Sequence, residues 1–144
     1  MTKRSHKQIP ILFLDEHHCT SEWSQYEKII SDRGSRYAVT GGMVKSRENI
    51  KDFLKKLKKN KKYALATHNS WAARVSHNGG VFETKSDDGE TGAGQVILYQ
   101  LRKAKIIDVI VIVTRWYGGI KLQSDRFRHV KNAVIIWNNK EKGD

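Results

Sequence analysis

An acidic, glycine-rich segment at residues 86–94 carries the residue types that most readily do chemistry. Its sequence, SDDGETGAG, places Asp87, Asp88 and Glu90 directly before a predicted helix. Carboxylates at a helix N-terminus accept hydrogen bonds from backbone N–H groups that lack partners within the helix. The alternative is a Mg²⁺ or Ca²⁺ site or an acid–base pair built from the same oxygens. Because no calcium-loop spacing follows, we favour the capping role and expect no resident metal.

The glycines of this segment, at positions 89, 92 and 94, resemble a loop that cradles phosphate. A glycine-rich turn at the start of a helix exposes backbone N–H donors. However, GETGAG matches neither the Walker pattern nor the dinucleotide fingerprint, and the three carboxylates should repel phosphate. Close packing of a helix on a sheet explains the glycines as well, so we expect no nucleotide or other cofactor here.

A second candidate segment, TRWYGGIKL at residues 114–122, directly follows a predicted buried strand. Strand ends of this kind often carry ligand-facing side chains. Arg115, Tyr117 and Lys121 could hold an anion or an acidic partner, and the Gly118-Gly119 dipeptide permits a turn that other residues cannot make. Alternatively, Arg115 pairs with the two aspartates of the acidic segment, because buried charges persist mainly as pairs.

A histidine at a predicted strand end, His68, could carry a proton if carboxylates lie near it, and a purely structural hydrogen bond is the alternative. If these side chains converged in a cleft, they would form a hydrolytic enzyme site, with or without the help of a metal ion. Its members would be His68, Asp87, Asp88, Glu90 and Arg115. Cys19 is the single cysteine, so it cannot form an internal disulfide.

Alternating strands and helices must position these segments. We predict strands at residues 35–44, 63–67, 72–76, 81–85 and 106–113, and helices that begin after Ser46, near Ala93 and after Ser124. In the first helix Ser46 is the expected cap, and the apolar residues Ile50, Phe53 and Leu57 recur at helical spacing. The pattern predicts an α+β fold: a two-layer sandwich with a mixed sheet and helices packed on one face.

The 144 residues suffice for one domain and are too few for two. We expect an N-terminal arm at residues 1–30, a domain at 31–139 and a frayed tail at 140–144. No apolar run approaches the roughly 20 residues that cross a bilayer. The apolar stretch near the N-terminus has no cleavage site for a secretory signal, so we expect a cytoplasmic protein with no membrane partner.

The net charge of +12 is concentrated in two segments, residues 45–62 and 101–131. The first segment carries nine basic and two acidic residues. Its lysines fall largely on the polar side of a predicted helix: Lys51, Lys55, Lys56, Lys58, Lys59, Lys61 and Lys62. These lysines form either a solvated face or a docking surface for an acidic protein or for phosphates. Aromatic residues for base stacking are scarce there, so RNA would be held by its backbone.

Three motifs, in chain order, are similar to those of the Impact family. They are ATHN at 66–69, SDDGETGAG at 86–94, and VTRWYGGIKL with DRFRHVKNA at 113–122 and 125–133. The resemblance covers about residues 30–139 and points to the C-terminal ancient domain of the eukaryotic branch. It implies an α+β fold of the kind seen in ribosome-associated and RNA-binding domains. Gln123 stands where the family usually has glycine, and Ala73 where an aromatic residue is usual.

Placed on this sequence, the family motifs mark a candidate site. Its residues are His68, Asp87, Asp88, Glu90, Arg115, Tyr117, Gly118, Gly119 and Lys121. Arg126, in the last motif, is grouped with the lysines as a contact to a partner or to nucleic acid.

The resemblance also implies a regulatory role in translation under stress, without a settled enzymatic activity. Eukaryotic members compete with the starvation-responsive kinase of the initiation factor for its large ribosome-associated coactivator, and they have been linked to monomeric actin. These members carry a separate N-terminal RWD domain, and only about 30 residues precede the matching region here, so we expect that domain to be absent. The leading hypothesis is therefore a non-enzymatic regulator that docks to the coactivator. The alternatives are a general RNA-binding or ribosome-binding module and the hydrolase described above.

Overall fold

The computed structural model describes residues 8–10 and 16–143. In chain order its elements are β1 (Gln8–Pro10), β2 (His17–His18), β3 (Ser24–Asp32), β4 (Ser35–Met43), α1 (Arg47–Lys59), α2 (Lys61–Ala64), β5 (His68–His77), β6 (Gly80–Ser86), α3 (Ala93–Lys103), β7 (Ile106–Ile107), β8 (Val109–Trp116) and α4 (Asp125–Glu141). Within the described ranges, no helix combines the length and the hydropathy that a membrane crossing requires.

The main sheet has six strands in the order β1-β6-β5-β8-β4-β3, and every neighbouring pair is antiparallel. Parallel pairing is confined to a separate two-stranded sheet of β2 and β7. The predicted α+β class is confirmed. The main sheet, however, is antiparallel throughout and not mixed.

Helices cover both faces of this sheet, which corrects the predicted one-sided arrangement. Val111 and Val113 of β8 pack into a core with α3 and α4. Ile110 and Ile112, which point the other way, pack with α1 and α2. Since successive side chains of a strand alternate between faces, a central strand that is apolar on both faces needs cover on both. The sheet is therefore the middle of three layers.

The lysine-bearing helix α1 begins as the sequence predicts. The Ser46 hydroxyl accepts a hydrogen bond from the Asn49 N–H at 3.0 Å, and Ile50, Phe53 and Leu57 are buried. The predicted strand at 63–67 is wrong, because the short helix α2 follows α1 directly and is capped by the Asn60 side chain. Strand β5 begins only at His68.

At both ends the folded domain extends further than the sequence analysis predicts. Residues 24–30 belong to β3, which pairs with β4 at the edge of the main sheet, and Cys19 is buried. At the other end α4 continues to Glu141, whose carboxylate accepts hydrogen bonds from Ser21 and Tyr26. These contacts join the two segments to the domain. Residues 1–7 and 11–15 of the predicted arm and residue 144 of the tail lie outside the described residues.

Candidate functional site

A cleft of about 420 Å³ lies at the paired ends of β5 and β8. It is closed by the loop between β6 and α3, by the loop at residues 117–124 and by the first turn of α4. The residues that line it are Thr67, His68, Gly89, Glu90, Thr91, Arg115, Tyr117, Lys121, Leu122, Gln123 and Arg126. Antiparallel pairing places His68 directly opposite Arg115. The cleft therefore brings together residues from both candidate segments of the sequence.

One buried carboxylate organises the floor of the cleft. Glu90 Oε2 lies 2.9 Å from Arg115 Nη1, 3.6 Å from Arg126 Nε and 4.0 Å from His68 Nε2. Glu90 and Arg115 are 5% and 6% exposed, so each charge depends on the other for compensation. The alternative in which Arg115 pairs with Asp87 and Asp88 is wrong, since Arg115 pairs with a carboxylate of the same segment, Glu90. Glu90 takes that place because it faces the end of β8.

The carboxylates of the two aspartates accept hydrogen bonds from backbone N–H groups. Asp87 accepts hydrogen bonds from the N–H groups of Gly92 at 3.0 Å and Gly94 at 2.8 Å, which caps α3. The Asp88 carboxylate accepts a hydrogen bond from the Asn69 N–H at 2.7 Å and so joins the loop to the start of strand β5. Neither aspartate lines the cleft. The five-residue enzyme site proposed from the sequence is thus only partly assembled, since His68, Glu90 and Arg115 converge and the aspartates do not.

His68 has a defined orientation at the edge of the cleft. Its Nδ1 lies 2.8 Å from the carbonyl oxygen of Asp88. A carbonyl oxygen only accepts, so Nδ1 carries a proton and donates it. Nε2 is consequently the ring atom turned toward Glu90. Gly89 leaves room for this ring, because a Cβ there would lie 3.1 Å from Nδ1.

The loop at residues 117–124 is held by hydrogen bonds to two hydroxyl groups and by a close contact between two glycines. The Tyr117 N–H donates to the Thr67 hydroxyl at 2.9 Å, and the Gly118 N–H donates to the Ser35 hydroxyl at 3.2 Å. Gly118 also packs on the backbone of Gly34, where a Cβ at position 118 would lie 2.0 Å from the Gly34 carbonyl carbon. The predicted role of glycine in this turn is thus one of close approach at Gly118 and of positive φ at Gly119, where φ is 92°.

Two further residues support the floor of the cleft. The Ser35 hydroxyl lies 3.3 Å from Arg115 Nη2, and the Arg115 guanidinium lies 5.8 Å from the centre of the Tyr37 ring. Burial raises the pKa of Tyr37 to about 12, with Arg115 opposing that rise and Glu90 adding to it. Tyr37 therefore stays neutral at physiological pH.

Sequence reasoning missed Ser35, Tyr37, Thr67 and Thr91, and it grouped Arg126 with the lysines. Single serines, threonines or tyrosines in strands and turns give no signal until the topology brings them together. Arg126 belongs to the family motif DRFRH, so its segment was identified, but its proximity to Glu90 was not. Across the described residues, no three His, Cys, Asp or Glu side chains cluster closely enough to hold a metal ion.

The predicted lysine surface, formed by Lys51, Lys55, Lys56, Lys58, Lys59, Lys61 and Lys62, is exposed along α1 and α2. Two of its members are engaged within the protein. Lys56 Nζ lies 4.5 Å above the Trp23 ring, and Lys62 Nζ lies 3.4 Å from Glu27 and 5.3 Å from the centre of the Trp116 ring. Because α1 and α4 cover opposite faces of the sheet, this surface is separate from the cleft that holds Arg126.

The fold and the cleft define a small α+β domain with a basic, partly buried cleft. The chain belongs to the Impact family: the family model described as the Impact N-terminal domain matches residues 33–136. The resemblance seen in the three sequence motifs is thereby confirmed.

Curated relatives agree with this assignment. The chain is 43% identical over 107 residues to Protein IMPACT of Xenopus laevis, and 41% identical over the same length to Protein IMPACT of Danio rerio and of Mus musculus. In each case the match covers 73% of this chain and 34% of the relative. The chain thus matches about a third of the length of these relatives.

Two solved structures are similar to the fold. A crystal structure described as that of a hypothetical protein matches with a TM-score of 0.65 and 20% identity, over 84% of this chain and 62% of that one. At that identity the match concerns the fold alone. The two-domain translational regulator Yih1 matches with a TM-score of 0.56 and 32% identity, over 81% of this chain and 46% of Yih1.

Proposed function

We propose that this chain is a cytoplasmic, non-enzymatic regulator of translation that docks, through its lysine surface, to the ribosome-associated coactivator of the starvation-responsive initiation-factor kinase. Membership of the Impact family and the similarity to the translational regulator Yih1 support the regulatory role. The observation that carries the docking step is the set of exposed lysines on α1 and α2.

The lysine surface has charges available for a partner. Lys55, Lys58 and Lys59 are exposed and have no ion pair with any residue that the structure describes. They stand on a helix whose other side is fixed by buried residues such as Phe53 and Leu57. A rigid, uncompensated positive surface attracts an acidic partner and speeds its encounter.

Apolar exposure at one end of this surface favours a protein partner over RNA. Leu65, directly after α2, is 74% exposed. An exposed apolar side chain gains free energy when a protein partner covers it, whereas contacts to an RNA backbone are polar. Two aromatic rings, those of Trp23 and Trp116, lie near the lysine surface. The ammonium groups of Lys56 and Lys62 lie over these rings, so the covered ring faces are not free to stack on bases.

The hydrolase alternative has less support. It needs Asp87 and Asp88 in the cleft, and both instead accept backbone N–H hydrogen bonds. The remaining carboxylate, Glu90, is occupied by Arg115 and approached by Arg126. A carboxylate oxygen that already accepts a hydrogen bond from a guanidinium group is less available to contact a substrate.

The test compares two triple variants with equal loss of charge. The first neutralises the lysine surface with Lys55→Gln, Lys58→Gln and Lys59→Gln. The second neutralises exposed lysines elsewhere, Lys85→Gln, Lys131→Gln and Lys142→Gln. Each protein is used to capture the purified coactivator, with and without nuclease and at two salt concentrations.

We expect the first variant to weaken coactivator capture by about tenfold or more and the second to leave it nearly unchanged. Capture should resist nuclease. If the two triple variants capture the coactivator equally well, docking through the lysine surface is wrong. Binding that is lost with nuclease and falls steeply with salt would instead support the RNA-binding or ribosome-binding alternative. Parallel capture of monomeric actin tests whether that family property extends to this chain.

A further inference from the structure

We propose that the cleft at the ends of β5 and β8 binds a small phosphorylated ligand, and that a nucleoside monophosphate is the ligand class that fits it. The site is distinct from the lysine surface, and it extends the function proposed above without depending on it. The inference rests on the charge balance, the fixed cations and the exposed aromatic ring of the cleft.

The charge balance of the cleft is positive. Arg115, Lys121 and Arg126 line it, and Glu90 is the carboxylate that lines it with them. The sequence alone argues against phosphate here, since it places three carboxylates beside the glycines. The structure removes that objection, because two of the three are hydrogen-bonded to backbone N–H groups outside the cleft. The third is compensated by Arg115.

Two of the cations are held in place before any ligand arrives. Arg115 donates through Nη1 to Glu90 and through Nη2 to Ser35, while its buried Nε has no hydrogen-bond partner among the described residues. Arg126 Nη1 donates to the carbonyl of Gln123 at 3.2 Å. Fixed side chains lose little conformational freedom on binding, which strengthens affinity. Guanidinium groups are also well matched to phosphate oxygens.

The remaining cation is available for direct contact. Lys121 is exposed and forms no ion pair within the described part of the chain. It stands on the loop between Gly118 and Leu122, beside the fixed arginines in the wall of the cleft. An ammonium group on a flexible stem can reach a phosphate whose position varies slightly between ligands.

An aromatic ring at the cleft points to a nucleoside in addition to the phosphate. Tyr117 is 47% exposed, and its ring centre lies 5.7 Å from the Arg115 guanidinium. Exposed aromatic faces of this kind stack on nucleobases. The cleft volume of about 420 Å³ lies within the range of small-ligand sites and exceeds what a free phosphate would fill.

Isothermal titration calorimetry on the whole chain at low salt tests the proposal. The probes are adenosine monophosphate, inorganic phosphate, adenosine and glutamate. We expect adenosine monophosphate to bind about tenfold more tightly than phosphate, and adenosine and glutamate to bind more weakly than both. Lys121→Gln should weaken binding of adenosine monophosphate and phosphate about tenfold, whereas the control Lys131→Gln should change neither. Tyr117→Ala should weaken the nucleotide alone.

A second variant, at Arg126, is titrated only after its folding has been checked. Arg126→Gln alters a contact to Glu90, so its circular dichroism is compared with that of the unaltered chain before titration. Lys121 has no such contact and serves as the primary variant. The lysine-surface triple variant should bind adenosine monophosphate normally, which separates a failure of this site from a failure of coactivator docking.

Three outcomes would overturn the proposal. The first is the absence of binding by both phosphate and adenosine monophosphate at millimolar concentration. The second is an equal loss in Lys121→Gln and Lys131→Gln. The third is glutamate binding as tightly as phosphate, which would make the cleft a general anion site. Phosphate binding that Lys121→Gln weakens, with no effect of Tyr117→Ala on the nucleotide, would refute the nucleoside part of the proposal.

Discussion

Arg115 and Glu90 form a buried ion pair at 2.9 Å, although 25 positions separate them in the chain. Arg115 comes from the end of the central strand β8, and Glu90 comes from the loop that precedes α3. The pair therefore joins the sheet to the helix layer at the floor of the cleft. Its energetics decide both the stability of the loop and the charge available to a ligand.

Removal of the Glu90 charge should destabilise the protein strongly. Glu90→Gln leaves the Arg115 guanidinium buried without a compensating carboxylate, and the expected loss is about 3 kcal/mol in the free energy of unfolding. Urea unfolding followed by circular dichroism measures this loss. Glu22→Gln, at an exposed position, is the matched control and should change stability by less than about 0.5 kcal/mol. Similar losses in the two variants would mean that the ion pair contributes little.

Relief of backbone strain at Gln123 should stabilise the protein. Gln123 has a φ of 56° and an exposed side chain, and a side chain other than glycine or asparagine is strained in that region. Gln123→Gly is expected to raise the free energy of unfolding by about 0.5 kcal/mol. The same substitution at Gln95, inside α3, should instead lower it by about 1 kcal/mol. Loss of stability in Gln123→Gly would show that the glutamine makes compensating contacts.

Stability below pH 4.5 should depend on Glu83. Burial alone would raise the pKa of this carboxyl, but hydrogen bonds and charge from Arg102, together with Arg74, hold the pKa below its ordinary value of 4.5. The distances are 2.6 Å from Arg102 Nη2 and 3.0 Å from Arg74 Nε. A pKa that is lower in the folded state gives stability that is complete above 4.5 and is lost as the pH falls through the folded value.

Chemical unfolding between about pH 7 and pH 3 measures this dependence. Glu83→Gln should be less stable near neutrality, and its stability should fall less steeply in the acidic range. Glu22→Gln should retain the steep dependence of the unaltered chain. An equally steep fall in Glu83→Gln would assign the acid sensitivity to other carboxyls, of which Asp108 is one whose pKa is also lowered.

Much of the fold follows from local sequence signals. Ser46 and the spacing of Ile50, Phe53 and Leu57 predict α1 closely because capping and apolar periodicity agree there. Strand β3 is harder to predict, since its register shifts between Tyr26 and Ile30. Lys28 within the shift adopts a φ of 54°, so the strand lacks the regular alternation that sequence analysis relies on.

Helix α2 and the Arg115–Glu90 ion pair illustrate two features that the sequence could not predict, for different reasons. Residues 63–67 have strand-like composition, but the Asn60 side chain caps a single helical turn at 61–64. The segments of the candidate site were found from their motifs. The partner of Arg115 was not, because choosing Glu90 over Asp87 requires knowledge of which carboxylates the α3 N-terminus uses.

The loop at 117–124 is held by two contacts along its length and by a third directly after it. Gly118 abuts the Gly34 backbone, Leu122 is buried in the core, and Asp125 just beyond the loop pairs with Arg33 at 2.5 Å. Gly34 and Arg33 belong to the same β3–β4 turn, so both ends of the loop share one anchor. This wall of the cleft is consequently positioned by a single turn, and a ligand of the kind proposed above would meet one adjustable cation in it, the exposed Lys121 side chain.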